Sequence, residues 1–238
     1  MKIIDAVWEK KNLGVTAAEI IIEAEDTIRD IENTLKNIDK QYIVCKVISG
    51  FNEATSVVQD LEYKYIEDQI EVEHDLHEIK RNRIMQRLYD SLDYSVMTET
   101  DLGELYQEID KGMFDSDRIS LDPYFSKEKA KQRYINWIKD LVSKGSKPYI
   151  MRYNGESAGF IILTTEDGIT YKSVLGGGYE KFRKTGLGIV QKEQEIVKSL
   201  GGKKVVTSVS SNNVGQFKAL IVNGYMPVKI EQVFVKHN

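Results

Sequence analysis

The feature that most constrains this fold is a strand, a bare glycine run, a basic turn and a helix that follow one another between residues 169 and 200. Residues 169–175 are rich in branched and aromatic side chains, as strands are, and three glycines follow them. From Ile189 to Leu200 apolar residues recur at the three- and four-residue spacing of one helical face. The sequence therefore predicts a strand whose end carries no side chains and leads directly into a helix.

The turn between this strand and this helix has a composition that suits an anion. It reads Arg183, Lys184, Thr185, Gly186, Leu187, Gly188. The first turn of a helix has backbone N–H groups without partners and carries partial positive charge, so a pyrophosphate can accept hydrogen bonds there. The two glycines keep the approach open and the two basic residues supply charge-assisted contacts. The alternative is a tight connection with two solvated basic residues and no ligand.

The rest of the chain alternates between β-branched runs and helical periodicity, which indicates an α+β fold with a mixed sheet. In the first third we predict strands at 20–22, 42–48 and 65–72, helices at 28–38 and 54–61, and a solvated connector at 78–87. Next come a strand at 94–97, a helix at 101–111 capped by Thr100 or Asp101, a helix opened by Ser126 and ended by Gly145, and a hairpin turning at Asn154-Gly155. A strand at 203–209, a helix opened by Asn213 and a strand at 226–235 complete the prediction.

Composition limits the partners. A net charge of -4 argues against nucleic acid, because that affinity comes mostly from Lys and Arg. Cys45 is the single cysteine, so no internal disulfide is expected, and it forms no metal-site pattern with His74, His77 and His237. The first residues lack the pattern of an export signal, and no apolar run approaches the roughly 20 residues of a membrane span. We expect a cytoplasmic protein without metal, nucleic acid or membrane partners.

The whole array resembles the GNAT superfamily of N-acetyltransferases. The acetyl-CoA signature of that family is Gln or Arg, two residues, Gly, one residue, then Gly or Ala. Its next helix opens with an Asn beside the cofactor, and a Gly-Phe pair follows eleven and twelve residues after that Asn. The matching residues here are Arg183, Gly186, Gly188, Asn213, Gly224 and Tyr225. The resemblance implies a GNAT fold with acetyl-CoA as cofactor.

The resemblance also implies where the cofactor lies. In the family, the strand before the signature splays from its neighbour and pairs with the pantetheine arm and the thioester carbonyl. The implied cofactor residues are Leu175, Gly176, Gly177, Gly178, the turn from Arg183 to Gly188, and Asn213. Backbone N–H groups around Gly178 and Tyr179 are the candidates for the carbonyl contact. The family's usual acid, a tyrosine seven residues after the Asn, is Leu220 here, so the general acid is unassigned.

Within the superfamily, the chain is most similar to the N-acetyltransferases of TDP-linked fucosamine (TDP-4-amino-4,6-dideoxygalactose), through Trp8 and its neighbours and through residues 115–137. This implies a degenerate GNAT-like domain at 1–90 and an acetyl-CoA-binding domain at 91–238. A faint echo between 61–74 and 220–237 favours two related halves, although any two helix-to-strand joints resemble each other this much. The implied acceptor residues are Asp115, Arg118, Asp122 and Tyr124.

Two roles stay open in that segment: Arg118 either binds a nucleotide phosphate or pairs with Asp115, and Glu180 or Asp122 competes with a water chain as general base. We expect an acetyl-CoA-dependent N-acetyltransferase acting on a primary amine of a small molecule, with a nucleotide-linked amino sugar favoured. An amino acid, a peptide or an antibiotic amine is the alternative acceptor. The loss of the acid at Leu220 also admits a non-catalytic acyl-CoA-binding module. The assembly state, including a homodimer, is left open.

Overall fold

The computed structural model describes residues 1–77, 79, 82–183 and 185–238. The strands in these ranges are β1 (Lys2–Asp5), β2 (Ala17–Ile22), β3 (Tyr42–Ile48), β4 (Lys64–Asp75), β5 (Leu92–Val96), β6 (Pro148–Tyr153), β7 (Glu156–Thr164), β8 (Thr170–Gly178), β9 (Lys204–Ser210) and β10 (Met226–His237). The helices are α1 (Trp8–Asn12), α2 (Ile28–Asn37), α3 (Asn52–Asp60), α4 (Arg83–Asp90), α5 (Glu99–Asp110), α6 (Arg118–Leu121), α7 (Lys127–Ser143), α8 (Ile189–Ser199) and α9 (Val214–Val222). A short 3-10 helix, Glu180–Phe182, follows β8.

The strands form one mixed sheet in the order β1-β2-β3-β10-β4-β9-β8-β7-β6-β5. Pairing is parallel between β2 and β3 and between β8 and β9, and antiparallel elsewhere. At its centre β10 lies against β4, with Ile70 opposite Ile230. Both halves of the chain contain the order strand, helix, strand, helix, strand. In the first half it runs from β2 to β4, and in the second half from β8 to β10. Each half therefore places its last strand beside a strand of the other half.

This symmetry explains the echo between 61–74 and 220–237. These segments contain the joints from α3 to β4 and from α9 to β10, and each joint carries a buried tyrosine, Tyr63 or Tyr225. The prediction of an α+β fold with a mixed sheet and a GNAT-like N-terminal half is confirmed. The domain boundary at residue 90 stays a prediction. β10 of the second half lies between β3 and β4 of the first half, so the sheet does not divide at that boundary.

Helices cover both faces of the sheet. On one, called the α7 face, α5 and α7 pack over β6, β7 and β8 around buried residues such as Leu105, Ile138 and Phe160. On the other, called the α8 face, α8 and α9 cover β4 and β9, while α2 and α3 cover β2 and β3. No helix in the described part of the chain is long and apolar enough to cross a membrane.

Two local predictions are wrong. The stretch 78–87 is not simply a connector, because Asn82 accepts the N–H of Met85 at 2.9 Å and starts α4 at Arg83. Glu78, Lys80 and Arg81 lie outside the described residues. The cap of α5 is Thr98 instead of Thr100 or Asp101. Thr98 and Asp101 form a reciprocal capping box, in which the Asp101 carboxylate accepts the Thr98 N–H at 2.8 Å.

Candidate functional site

The candidate site begins where β8 and β9 stop pairing. Their parallel ladder ends at Ser173 and Thr207, although β8 continues to Gly178 and β9 to Ser210. Beyond that point β8 stays paired with β7, and β9 stays paired with β4. The two strands therefore separate and leave a gap, closed at Ser173 and Thr207 and open at Gly178 and Ser210. The predicted splay is present.

The backbone of β8 is exposed along this gap. Val174 is an extra residue relative to β7, a bulge that starts the separation. Tyr179 donates its N–H to the carbonyl of Ala158 on β7 at 2.9 Å, so this N–H is not free for the contact predicted for it. Because backbone groups of successive strand residues point to opposite edges, Gly178 and Gly176 direct theirs into the gap. Among the described residues of β8, Gly176 and Gly178 therefore supply the N–H donors that face the gap.

The glycines also let the following turn fold back against the strand end. A Cβ at Gly178 would lie 3.3 Å from the Cα of Arg183, and one at Gly177 would lie 3.4 Å from the sulfur of Met113. Arg183 directs its guanidinium to the carbonyl of Gly112 at the end of α5, at 3.3 Å. The bare strand end thus brings the basic turn to the open end of the gap.

The start of α8 lies at the end of this turn. Gly186 has a φ of +68° and nothing within 4 Å of its Cβ position, so the chain is open there. Among the described residues, no group accepts a hydrogen bond from the backbone N–H groups of Gly188, Val190 and Gln191. Such a helix end binds anions. Lys184, a predicted contributor, lies outside the described residues.

Helix α4 closes one side of the helix end. A Cβ at Gly188 would lie 3.2 Å from the Cα of Tyr89 and 2.4 Å from the Oε1 of Gln191. The ammonium of Lys192 lies 3.8 Å from the centre of the Tyr89 ring. Gly188 therefore permits packing against α4. The space is therefore open at Gly186 and filled at Gly188, and the cofactor role of both glycines stays a prediction.

The next helix starts as predicted but offers no acid. Asn213 caps α9 by accepting the N–H of Gln216 at 3.1 Å. Leu220 is buried in the apolar core of the α8 face, where the family would carry its tyrosine. The ionisable group nearby is Glu193 of α8, which accepts the Tyr225 hydroxyl at 3.1 Å.

Glu193 lies near the closed end of the gap. Burial raises its pKa to about 7, opposed by hydrogen bonds from the hydroxyls of Tyr225 and Ser173. Ser173 is the last residue of β8 that pairs with β9. The sequence analysis assigns no role to Glu193. The available signal was its spacing of three from Val190 and Ile196, which places it on the apolar face of α8.

On the α7 face, the chain from Met113 to Arg118 connects the two sides of the gap. Met113 lies against Gly177 of β8, and Phe114 stacks on Tyr134 of α7 with ring centres 4.3 Å apart. Asp115 is exposed on this segment. An acceptor that reaches the gap from this face must pass this segment.

Arg118 is half-buried and forms no ion pair with Asp115 among the described residues. Its Nη2 lies 3.4 Å from Glu19, whose other oxygen binds Lys46 at 2.5 Å. Glu19 thus occupies one nitrogen of the guanidinium, while the Nε of Arg118 has no hydrogen-bond partner among the described residues. The predicted pairing with Asp115 is therefore not observed among the described residues, and the predicted role of Arg118 toward a nucleotide phosphate stays a prediction.

The other two predicted acceptor residues lie elsewhere. Asp122 binds Nε2 of His237 at 2.7 Å, and the Tyr124 ring stacks on His237 with ring centres 4.0 Å apart. His237 ends β10, beside β3. Asp122 and Tyr124 therefore lie at the end of β10, whereas Arg118 lies near Glu67 of β4; the acceptor role of all these residues stays a prediction.

A cavity of about 410 Å³ lies beside the end of β8. Its lining includes Glu104, Glu108, Glu156, Lys181 and the buried Tyr179. Glu156 is paired with Lys181 and Glu108 with Lys111, so Glu104 is the carboxylate of this lining without an ion pair among the described residues. The Tyr179 hydroxyl has no hydrogen-bond partner among the described residues.

The N-terminal half has the same order of elements but no gap. All six residues of β2 pair with β3. The turn that follows is acidic and carries no glycine, and its Asp26 binds the N-terminal amine. Thr27 then caps α2. Because these strands stay paired and the turn is acidic, the described residues of this half form neither a gap between strands nor a basic turn like that of the second half.

Comparison with known proteins supports the fold. The sequence matches no protein-family profile and no curated protein. A GCN5-related N-acetyltransferase from Sphaerobacter thermophilus superposes with a TM-score of 0.58 and 12% identity, over 82% of this chain and 59% of that protein. A tandem GNAT protein from the clavulanic acid biosynthesis pathway superposes with a TM-score of 0.56 and 10% identity, over 93% of this chain and 75% of that one.

A functionally unknown protein from Staphylococcus epidermidis gives a TM-score of 0.60 and 12% identity, over 93% of this chain and 84% of that one. At these identities the likeness concerns the fold. The chain has the GNAT fold.

Proposed function

We propose that the protein is an acetyl-CoA-dependent N-acetyltransferase that acetylates a primary amine of a small molecule. The observation that carries this proposal is the gap between β8 and β9, which opens beside the start of α8, where several backbone N–H groups have no acceptor among the described residues. Pantetheine is a narrow chain with two amides, which can pair with the exposed edge of β8. The pyrophosphate of CoA can accept from the N–H groups at the start of α8.

The chemistry needs little from side chains. The amine nitrogen attacks the thioester carbon, the C–S bond breaks and the thiolate takes a proton. N–H groups of Gly176 and Gly178 that point into the gap can stabilise the carbonyl oxygen as it gains charge. A thiol with a pKa of about 8.5 is a tolerable leaving group, so solvent can supply the last proton where Leu220 offers none.

For the acceptor we retain the nucleotide-linked amino sugar as the first class to test, on the resemblance to the TDP-fucosamine enzymes. A phosphate bound by Arg118 would have to share its guanidinium with Glu19, whose carboxylate lies 3.4 Å from Nη2. The cavity beside Tyr179 holds the Glu104 carboxylate, which has no ion pair among the described residues and suits a cationic amine. An amino acid, a peptide or an antibiotic amine therefore stays in the test panel.

Calorimetry with acetyl-CoA tests the cofactor site, using Gly186→Glu against Gly168→Glu. Both glycines have nearly the same φ, +68° and +70°, and both have nothing within 4 Å of the Cβ position. Gly168 lies in the turn at the far end of β8. We expect the carboxylate at 186 to weaken binding at least about tenfold, or about 1.4 kcal/mol, and the one at 168 to leave it unchanged. Equal affinities for the two variants would remove the proposed site.

Mass spectrometry of an acceptor panel then separates enzyme from binding module. The panel holds TDP-linked amino sugars, free amino acids, peptides and aminoglycosides. An acetylated product from one class assigns the acceptor. Acetyl-CoA binding without any acetylated product would favour the non-catalytic acyl-CoA-binding module instead.

A further inference from the structure

The exchange of strands between the halves brings Glu67 of β4 to the open end of the gap. β9 pairs with β4 up to Ser210, which lies opposite Gln69. Glu67 is two residues further along β4 in the direction of the opening. It lies on the α7 face, since its partner on β10 is Val233, whose side chain packs in the core of that face. The carboxyl therefore lies on the face from which an acceptor can reach the gap.

Glu67 is buried and yet has no ion pair among the described residues. Only 6% of the residue is exposed, and its Oε2 has no hydrogen-bond partner in the part of the chain that the structure describes. The two cations close to it, Lys46 and Arg118, both bind Glu19 instead. An unpaired buried carboxyl is costly to ionise, so a structural role alone gives no reason for a glutamate here.

The surroundings of Glu67 leave it able to take a proton. Burial raises its pKa, the Ser210 hydroxyl and the charges of Arg118 and Lys46 lower it, and Asp117 raises it. The groups that face Glu67 are therefore Ser210 from β9, Asp117 and Arg118 from the start of α6, Lys46 from β3 and the apolar Val233 from β10. The net pKa is raised, which brings the proton affinity closer to what a base at neutral pH needs.

A second unpaired atom lies in the same cluster. The Nε of Arg118 is buried and has no partner among the described residues. An acceptor oxygen and an N–H donor thus both lack partners beside the opening of the gap. A ligand that carries an ammonium next to a hydroxyl or carbonyl satisfies both, and an amine acceptor has that chemistry.

We infer that Glu67 is the general base of the acetyl transfer, an inference that rests on the proposed function. Its Oε2 takes a proton from the acceptor ammonium, which frees the nitrogen lone pair. That pair forms the C–N bond, the C–S bond breaks with its electrons on sulfur, and solvent protonates the thiolate. Glu67 then returns its proton to water. The N-terminal half, which has no cofactor slot of its own, thereby supplies a catalytic residue to the second half.

The test compares Glu67→Gln with Glu73→Gln, the same substitution on the same strand and face. Glu73 lies beside the paired part of β9, opposite Val206, and binds Lys204 at 2.9 Å. Steady-state rates across pH are measured with acetyl-CoA and the acceptor found in the panel. We expect Glu67→Gln to lower kcat by about 10² to 10⁴ and to remove the acidic limb of the pH profile. Glu73→Gln should keep both.

Two further measurements keep the outcomes distinct. Glu67→Gln should bind acetyl-CoA like the wild type and unfold at no lower temperature at pH about 8, because it removes a buried charge. Glu67→Asp should retain measurable turnover and an acidic limb. If Glu67→Gln keeps the wild-type kcat and acidic limb, the inference is overturned and the acetyltransferase stands. Failure of the wild type to bind acetyl-CoA would instead remove the proposed function itself.

Discussion

Replacing Glu193 by Gln tests the electrostatics at the closed end of the gap. Burial raises the pKa of Glu193 from an ordinary 4.5 to about 7. At 1.36 kcal/mol per unit, this shift corresponds to about 3 kcal/mol. The unfolded chain ionises this group near pH 4.5 and the folded chain near pH 7, so its stabilising contribution is complete below the first pH and lost as pH rises through the second. Glutamine keeps an oxygen to accept the Tyr225 hydroxyl but never ionises.

The assay is urea unfolding of wild type and Glu193→Gln from about pH 4 to about pH 8.5, where the difference between the two isolates this one group. We expect the variant to gain about 3 kcal/mol relative to wild type over that range, most of it between the two pKa values. Glu166→Gln, at an exposed position in the β7 to β8 turn, should follow the wild type throughout. A difference that does not change with pH would refute the reasoning.

Two other substitutions probe packing. Glu9→Ala leaves Arg133, bound to it at 2.7 Å, as a largely buried charge without this carboxylate between α1 and α7; we expect a loss of about 3 kcal/mol in urea unfolding, largely absent when Glu9 and Arg133 are both replaced by Met. Gly159→Ala places a Cβ 2.5 Å from Cδ1 of Ile189, so unfolding should cost about 1 to 3 kcal/mol less. Gly103→Ala, inside α5 with nothing within 4 Å, should instead stabilise by about 0.5 to 1 kcal/mol, and the opposite sign for either glycine would contradict this packing.

The local elements of this fold were predictable because their signals lie within a few residues. The Asn154-Gly155 turn has both φ values positive, +50° and +83°, as that pair of residues favours. Ser126 caps α7 by accepting the N–H of Lys129, and Gly145 ends that helix with a φ of +90°. In each case the residues that signal the cap or turn are the same residues that form it.

The pairing of the last strand of each half, β4 or β10, with strands of the other half could not be predicted. Nothing in residues 226–237 indicates that β10 pairs with β3 and β4, because strand pairing depends on the whole sheet. The positions of Glu67 and Glu193 follow from that pairing. In the sequence, each is one glutamate among many. Only the assembled sheet buries Glu67 with its Oε2 unpartnered among the described residues, and buries Glu193 near the closed end of the gap.

The central claim is that acetyl-CoA lies between β8 and β9 with its phosphates at the start of α8. Amide hydrogen exchange with and without acetyl-CoA tests it, and the N-terminal half serves as an internal control. We predict slower exchange at residues 174–178 and 186–191 and no change at residues 17–31, the corresponding strand and helix start. Bound acetyl-CoA that leaves 174–178 and 186–191 unprotected, or that protects 17–31 instead, would contradict the account.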